Sequence, residues 1–212
     1  MTIGAQVQGA GAGAQADPHA GGDHRPNIAQ LSDDQVTDPG LAEVIEAAVV
    51  TASPPPSWYR TMGHNAEVAK EFARYWDLLH RGGSVPHRVK ELCRLQIAQM
   101  IGCEFCSSQS SPKAGISDEE RLSCALPDWE HPDPPTRAAL HYARTLTLDD
   151  GRDAQVYEEL ERYYDSSQII ELAAFFMLTM GGNRMAKSWS IEPHGATSSI
   201  PAGAMSVKGD RG

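Results

Sequence analysis

The sequence predicts an all-α protein, a single helical bundle, and three observations support this. Apolar residues recur at spacings of three and four through most of residues 28–192, which is the period of an amphipathic helix. Proline, glycine or capping residues bound these stretches. No segment shows the alternation of apolar and polar residues that is typical of a strand.

The first half of the domain divides at proline and glycine. A helix over 41–50 follows Pro39 and Gly40, and the three prolines at 54–56 then exclude a helix interior. We interpret the segment 51–60 as a connection with a short turn at most. The next predicted helix, 63–83, ends at two glycines. Its expected buried face comprises Val68, Phe72, Trp76 and Leu79.

The second half contains five further predicted helices. A central helix over about 86–101 opens with Pro86 in its first turn. Ser117 and Glu120 form a capping box for a short helix through Leu126. The others cover 134–148, 153–164 and the apolar stretch from about 166, which we expect to be the buried centre of the bundle.

Both ends of the chain differ from this domain in composition. Residues 1–27 are rich in Gly, Ala and Gln, and residues 193–212 have few large apolar side chains. Such segments cannot bury enough surface to offset the entropy of ordering. We therefore expect two disordered tails around one domain at 28–192.

The net charge and the hydropathy of the chain limit the kinds of molecule that it is expected to bind. The net charge is −10, which does not favour nucleic acid or an anionic membrane surface. No run approaches the roughly 18 apolar residues that span a bilayer. The N-terminus lacks the basic start and apolar core of a secretory signal, so we expect a cytoplasmic protein whose four cysteines are thiols.

A Cys-x-x-Cys pair, Cys103 and Cys106, is the main functional motif. Gly102 lets the chain turn, so Cys103 is expected near a helix N-terminus, where backbone N–H groups stabilise a thiolate. Oxidation of one sulfur would allow the pair to close as a disulfide. A zinc site is disfavoured because the remaining thiols, Cys93 and Cys124, form no second close pair. We expect neither a metal nor an organic cofactor.

A carboxylate, Glu91, lies on the central helix upstream of the cysteines. It heads a helical row that runs through Leu95 and Ala98 to Gly102, whereas Lys90 and Arg94 are expected on the solvent side. Burial in that row would raise the pKa of Glu91 toward a value suited to proton transfer. The alternative, a solvated glutamate near a helix N-terminus, stays open.

The run KELCRLQIAQMIGCEFCSSQ, residues 90–109, resembles the signature of the carboxymuconolactone decarboxylase and alkyl hydroperoxidase D superfamily. That signature is a Glu, an apolar helix, Cys-x-x-Cys and a His four residues after the second Cys. The resemblance extends over roughly residues 56–192. It implies an all-helical fold that assembles into homo-oligomers, trimers or hexamers.

The resemblance also implies roles for individual residues. Cys106 would be the thiol oxidised by peroxide, Cys103 its resolving or relay partner, and Glu91 a proton relay. The position of the signature His holds Ser110, whose hydroxyl could pass a proton or hold a water. Four histidines could replace the missing base, and His141, beside Tyr142 on an inward face, is the first candidate. The others are His64, His80 and His87.

The expected function is therefore a thiol-dependent peroxidase. It would reduce a hydroperoxide through Cys103 and Cys106 and be regenerated by a dithiol reductant or a redox protein. One alternative is a lyase or isomerase that acts on a small carboxylate or lactone, in which the thiols need not cycle. The other is a homologue that kept the fold and lost the relay, as the serine at position 110 suggests.

Overall fold

The structure is a computed structural model that describes residues 25–149 and 153–193. Within these residues it contains helices and no strands, so the predicted all-α class is confirmed. The helices are α1 (Pro39–Thr51), α2 (Pro56–Met62), α3 (Ala66–His80), α4 (His87–Ile101), α5 (Glu104–Ser107), α6 (Asp118–Ser123), α7 (Pro134–Thr147), α8 (Ala154–Leu160) and α9 (Ser166–Trp189). Short 3-10 turns lie at Asp33–Gln35, Gly63–Asn65 and Pro112–Ala114.

Helix α4 lies at the centre of the bundle, packed against α7 and α9. A large apolar cluster fills the space between these helices, with Leu92, Ile97, Phe175 and Phe176 among its fully buried members. A second cluster, around Trp58 and Phe105, joins α1, α2 and α5 to the other side of α4. The candidate site lies where the two clusters meet.

Several predicted boundaries differ from the structure. The segment 51–60 contains most of helix α2, because Pro55 and Pro56 occupy its N-cap and first position, where no N–H bond is lost. Helix α3 begins at Ala66 because Asn65 caps it through the N–H of Val68. Val68 itself is 51% exposed, and Ala69 takes the buried position expected for it.

Helix α9 is central on one face only. Leu172 and Phe175 are fully buried, but Ile170 and Met177 are 69% and 51% exposed. The expectation that this stretch is the buried centre of the bundle therefore holds for its inner face and is wrong for its outer face. Among the described residues, no helix combines the length and apolarity needed to cross a bilayer.

Lys90 is buried, contrary to the prediction that it faces solvent. Its Nζ lies 2.6 Å from Oε1 of Glu171 on α9 and also donates to the carbonyl of Gly82. Glu171 accepts a further bond, 2.8 Å, from the N–H of Ser84. A partner of opposite charge on the facing helix thus allows a lysine on the inner side of α4.

The predicted tails, 1–27 and 193–212, lie mostly outside the described residues. Asn27 is an exception, because its backbone N–H donates to the carbonyl of Trp189 at 3.0 Å. Its side-chain amide donates to the carbonyl of Ser188 at 2.9 Å. The ordered part of the domain therefore includes this residue of the predicted tail.

Candidate active site

Glu91 and Arg94 form a buried ion pair on α4. The side chain of Glu91 is fully buried and that of Arg94 nearly so. Arg94 donates to both carboxylate oxygens, Nε to Oε2 at 2.8 Å and Nη2 to Oε1 at 2.9 Å. Their spacing of three residues places both on one face of the helix. The prediction that Arg94 faces solvent is therefore wrong, and the open question about Glu91 is resolved in favour of burial.

His80, the last residue of α3, completes this cluster. Its Nε2 lies 2.7 Å from Oε2 of Glu91, and its Nδ1 accepts from the indole N–H of Trp76 at 3.1 Å. Because Nδ1 is an acceptor, Nε2 carries the proton and donates to Glu91. Burial lowers the pKa of His80 to about 4, against the opposing effect of Glu91. The imidazole is therefore neutral near pH 7.

The pKa of Glu91 is lowered, not raised as predicted. Burial acts to raise the pKa, but the charge of Arg94 and the hydrogen bonds from His80 and Arg94 outweigh it. The physical reason is that an adjacent opposite charge favours the ionised carboxylate more than desolvation disfavours it. Glu91 is thus a fixed anion, which is a poor proton donor at neutral pH.

The turn that carries the cysteines is fastened to this ion pair. Gly102 ends α4 with a φ of +69°, a left-handed conformation that suits glycine. Arg94 then donates to the carbonyl oxygens of Cys106 and Gln109, at 2.9 and 2.7 Å. The N–H of Ser111 donates to Oε1 of Glu91 at 2.8 Å. Three hydrogen bonds between the ion pair and this turn therefore fix the path of residues 106–111.

The two cysteines are buried, free thiols with different surroundings. Cys103 is the N-cap of α5, and its Sγ accepts from the backbone N–H of Cys106 at 3.3 Å. A hydrogen bond from the Cys106 thiol lowers the pKa of Cys103, and that N–H, Lys187 and Arg94 act in the same direction. The same bond and burial raise the pKa of Cys106. Cys103 therefore ionises first, and Cys106 keeps its proton longer.

A narrow cleft reaches Cys106. The open space in the cleft has a volume of about 30 Å³, which is enough for a water-sized molecule. Cys106 and Arg94 belong to its wall, but Cys103, Glu91 and His80 do not. The remaining wall residues are Ser53, Pro54, Trp58, Phe72, Trp76, Phe105, Gln109, Thr179, Gly182 and Asn183. Cys106 is thus the thiol that a small molecule in the cleft would meet.

Two residues that the sequence suggested for a proton relay, His141 and Ser110, do not contact Glu91. His141 lies between α7 and α8, where its Nδ1 is 2.9 Å from Oε2 of Glu159. Ser110 is half-buried, and the neighbouring Ser111 makes the contact with Glu91. The histidine that the structure places in the cluster is His80, which was among the four candidates.

The remaining histidine candidates have other partners. His87 extends the cluster, because its Nδ1 donates to the carbonyl of His80 and its Nε2 lies 2.9 Å from Oγ of Ser111. At the surface, Nε2 of His64 lies 2.9 Å from the carbonyl oxygen of Ala29. Cys93 and Cys124 are buried members of the main apolar cluster. Across residues 25–149 and 153–193, no group of three potential metal-ligating side chains is present.

Arg94 is the residue of the candidate site that the sequence patterns did not identify. Its signal was the spacing of three residues from Glu91, which allows an ion pair on a helix. That spacing does not reveal that both side chains turn inward, because the apolar row alone suggested that a long cation would point to solvent. The backbone carbonyls that Arg94 binds come from the cysteine turn, which sequence patterns do not position.

Comparison with known proteins agrees with the fold. No family model matches the chain. The uncharacterized protein YdfG of Bacillus subtilis is 24% identical over 138 residues, which cover 61% of this chain and 90% of YdfG. Similar solved structures include the debrominase Bmp8, with a TM-score of 0.67, 20% identity and coverage of 78% of this chain and 91% of that one. They also include ATU0492 of Agrobacterium tumefaciens, a protein of unknown function described as a putative antioxidant defence protein AhpD.

The second of these structures has a TM-score of 0.56 and 18% identity, covering 63% of this chain and 94% of that one. The chain therefore has the alkyl hydroperoxidase D-like fold, as the resemblance in residues 90–109 implied. A Cys-x-x-Cys turn beside a cleft, anchored by a buried Glu–Arg pair, is the site that this chain places in that fold.

Proposed function

We propose that this protein is a thiol-dependent oxidoreductase that reduces a small hydroperoxide at Cys106. The observation that carries the proposal is that Cys106 lies in the cleft wall while Cys103 accepts its backbone N–H. A substrate in the cleft would meet the Cys106 thiol, and Sγ of Cys103 lies 3.3 Å from the backbone nitrogen of the same residue. The alkyl hydroperoxidase D-like fold supports the same chemistry.

In the proposed reaction, the proton of Cys106 passes to the Cys103 thiolate as Cys106 attacks the O–O bond. The products are a sulfenic acid on Cys106 and an alkoxide, which takes the proton back from Cys103 and leaves as the alcohol. The Cys103 thiolate then attacks the sulfenic sulfur, forms a disulfide and releases hydroxide, which is protonated to water. An external dithiol reduces the disulfide and returns both thiols.

Glu91 and His80 act in this proposal as positioning residues. Neither is in the cleft wall, and Glu91 is held as an anion by Arg94. Their role is to orient Arg94, which binds the carbonyl of Cys106. Ser110 and His141, which the sequence suggested for a proton relay, have no part in this scheme.

The test is peroxide consumption with dithiothreitol as reductant. We expect Cys106→Ser to abolish turnover. Cys103→Ser should lower turnover strongly, because it loses both the acceptor of the Cys106 proton and the resolving thiol, and dithiothreitol must then reduce the sulfenic acid directly. Cys124→Ala is the matched control, because this thiol is buried away from the cleft, and it should retain turnover. Unchanged consumption by Cys106→Ser would overturn the proposal and favour a homologue without thiol catalysis.

Thiol-dependent removal of halogen from an aromatic ring is a second candidate. Four aromatic residues in the cleft wall favour it, as does the similarity to Bmp8, of which a variant was crystallised with 2,3,4-tribromopyrrole. Here Cys106 would take the halogen as a cation while the ring gains a proton. Attack by Cys103 would then release halide and form the same disulfide. Halide release from a bromophenol, measured by ion chromatography, separates this reaction from peroxide reduction.

The wall of the cleft disfavours the lyase alternative. None of the wall residues is a carboxylate or a histidine, so the cleft offers no ordinary base for proton abstraction from a carboxylated substrate. Self-association into trimers or hexamers, a cytoplasmic location and a dithiol or redox-protein partner stay predictions from the sequence.

A further inference from the structure

Three buried polar atoms without a hydrogen-bond partner belong to residues of the cleft wall. They are Nε1 of Trp58, Oγ1 of Thr179 and Oδ1 of Asn183, and each of these residues is at most 3% exposed. In the part of the chain that the structure describes, two other side-chain atoms share this condition, on Gln96 and Gln99 of α4. Buried polar groups normally have a partner, so this concentration indicates that a bound molecule supplies one.

The three atoms specify the hydrogen bonds of that molecule. The indole N–H of Trp58 only donates, so it requires an acceptor. The side-chain amide nitrogen of Asn183 already donates to the carbonyl of Thr179 at 2.7 Å, which leaves Oδ1 to accept. The hydroxyl of Thr179 can do either. A ligand group that both accepts and donates, such as a hydroxyl, meets these requirements.

The rest of the wall specifies the body of the molecule. Trp58, Phe72, Trp76 and Phe105 surround the cleft, and the rings of Trp58 and Phe105 are stacked with centroids 6.4 Å apart. Aromatic side chains in offset or edge arrangements favour another flat ring between or beside them. The wall therefore suits an aromatic ring better than a flexible acyl chain.

The charge of the wall argues for a neutral ligand. Arg94 is the charged residue among the wall residues. All three of its side-chain nitrogens already donate, to Glu91 and to the carbonyls of Cys106 and Gln109. Its charge is balanced by the adjacent Glu91, so the cleft holds no unpaired cation for a carboxylate or phosphate.

We propose that the cleft binds a neutral compound with one aromatic ring and a hydroxyl-type group. If the proposed function holds, on which this assignment of a substrate rests, the substrate is an arylalkyl hydroperoxide, which carries its –OOH on a carbon beside the ring, with its O–O bond against Cys106. The cleft now has room for water-sized molecules, about 30 Å³, whereas a cavity of about 150 Å³ accommodates benzene. Binding therefore moves the aromatic walls apart and gives the three polar atoms their partners.

The experiment uses two ligands of similar shape, phenol and toluene, which differ in the hydroxyl. Binding to ¹⁵N-labelled Cys106→Ser protein is followed through the indole N–H signals of its four tryptophans. The Trp58 signal is identified by its loss in a Trp58→Phe variant. We expect phenol to shift this signal downfield and saturably, as an indole N–H that gains an acceptor does, and toluene to bind more weakly without that shift.

Two matched variants test the polar contacts. Thr179→Val keeps the shape of the side chain and Asn183→Leu its approximate size, and each removes one of the unpartnered oxygens. We expect each to weaken phenol binding about fivefold, the effect of one hydrogen bond, and to leave toluene binding unchanged. The ratio of the two affinities within each variant is insensitive to a general loss of stability.

The outcomes separate this inference from the proposed function. Equal binding of phenol and toluene, or no movement of the Trp58 signal with either, overturns the ligand assignment even if Cys106-dependent peroxidase activity is present. Selective phenol binding supports the assignment of the cleft even if the protein consumes no peroxide, in which case the proposed reaction alone fails.

Discussion

Arg94 joins Glu91 to the cysteine turn. Its guanidinium donates to both carboxylate oxygens, at 2.8 and 2.9 Å, and to the carbonyl of Cys106, at 2.9 Å. Glu91 is fully buried and Arg94 nearly so, and in some proteins such buried pairs fix one geometry more than they add net stability. In this protein the geometry that it fixes is the position of the thiol in the cleft wall.

Removing Arg94 should therefore destabilise the fold. In Arg94→Leu the buried carboxylate of Glu91 loses its counter-charge, and we expect a loss of about 3–5 kcal/mol in the free energy of unfolding. Urea denaturation followed by circular dichroism measures it. Arg88→Leu is the control on the same helix, because the Arg88–Glu120 pair is partly exposed, and should cost about 1 kcal/mol or less. Equal losses in the two variants would contradict the account.

Peroxide turnover should depend on His80, which contacts Glu91, and should not depend on His141, which contacts Glu159. His80→Gln removes the ring that bonds Glu91 at 2.7 Å, so the cysteine turn loses support. We expect peroxide turnover to fall about tenfold or more, as small misplacements of reacting groups do. His141→Gln alters only the pairing with Glu159 and should retain native turnover. A larger loss in His141→Gln would show that the relay lies elsewhere.

Stability should fall on acidification because of His80. Its pKa of about 4 in the folded protein is below the ordinary value of 6.5, so the unfolded chain binds a proton first. Folding stability that is present at pH 7 is lost as the pH falls from 6.5 to 4, by about 2 kcal/mol at pH 5. Urea midpoints at pH 7 and pH 5 measure this, and most of the difference should vanish in His80→Gln. A pH dependence that is identical in this variant would assign the effect to other groups.

The Lys90–Glu171 pair provides a variant that affects stability without touching the site. Glu171→Gln leaves the fully buried ammonium of Lys90 with a neutral partner, and we expect a loss of about 3 kcal/mol. Neither residue is in the cleft wall. Turnover per folded molecule should therefore stay native at temperatures where the variant is folded. Lower turnover at those temperatures would mean that the substitution on α9 also displaces the cysteines.

The sequence was sufficient for the fold class and most of the helices, because their apolar periods and caps are local. It also located Cys103 at a helix start, where the structure has the N-cap of α5. The sequence patterns did not predict that Lys90 and Arg94 are buried. Lys90 and Arg94 can be buried because Glu171 and the carbonyl oxygens of Cys106 and Gln109 lie beside them in the folded protein. The apolar periodicity of α4 does not reveal these tertiary partners.

The same limit explains the choice of histidine. His80 and Glu91 are eleven residues apart, on different helices, and are brought together by the turn between α3 and α4. His141 has a similar local pattern but faces Glu159 on α8. The pKa of Glu91 was predicted in the wrong direction for a related reason, because the effect of burial depends on which charge is buried beside the carboxylate.

The central claim is that Cys106 meets the oxidant and Cys103 resolves it. The most direct test is to treat Cys103→Ser with an equimolar hydroperoxide in the presence of dimedone, which traps sulfenic acids, and to map the adduct by peptide mass spectrometry. The account predicts a Cys103–Cys106 disulfide in the native protein and an adduct on Cys106 in this variant, formed more slowly because the serine cannot take the Cys106 proton. An adduct on Cys103 in Cys106→Ser, with none on Cys106 in Cys103→Ser, would contradict it.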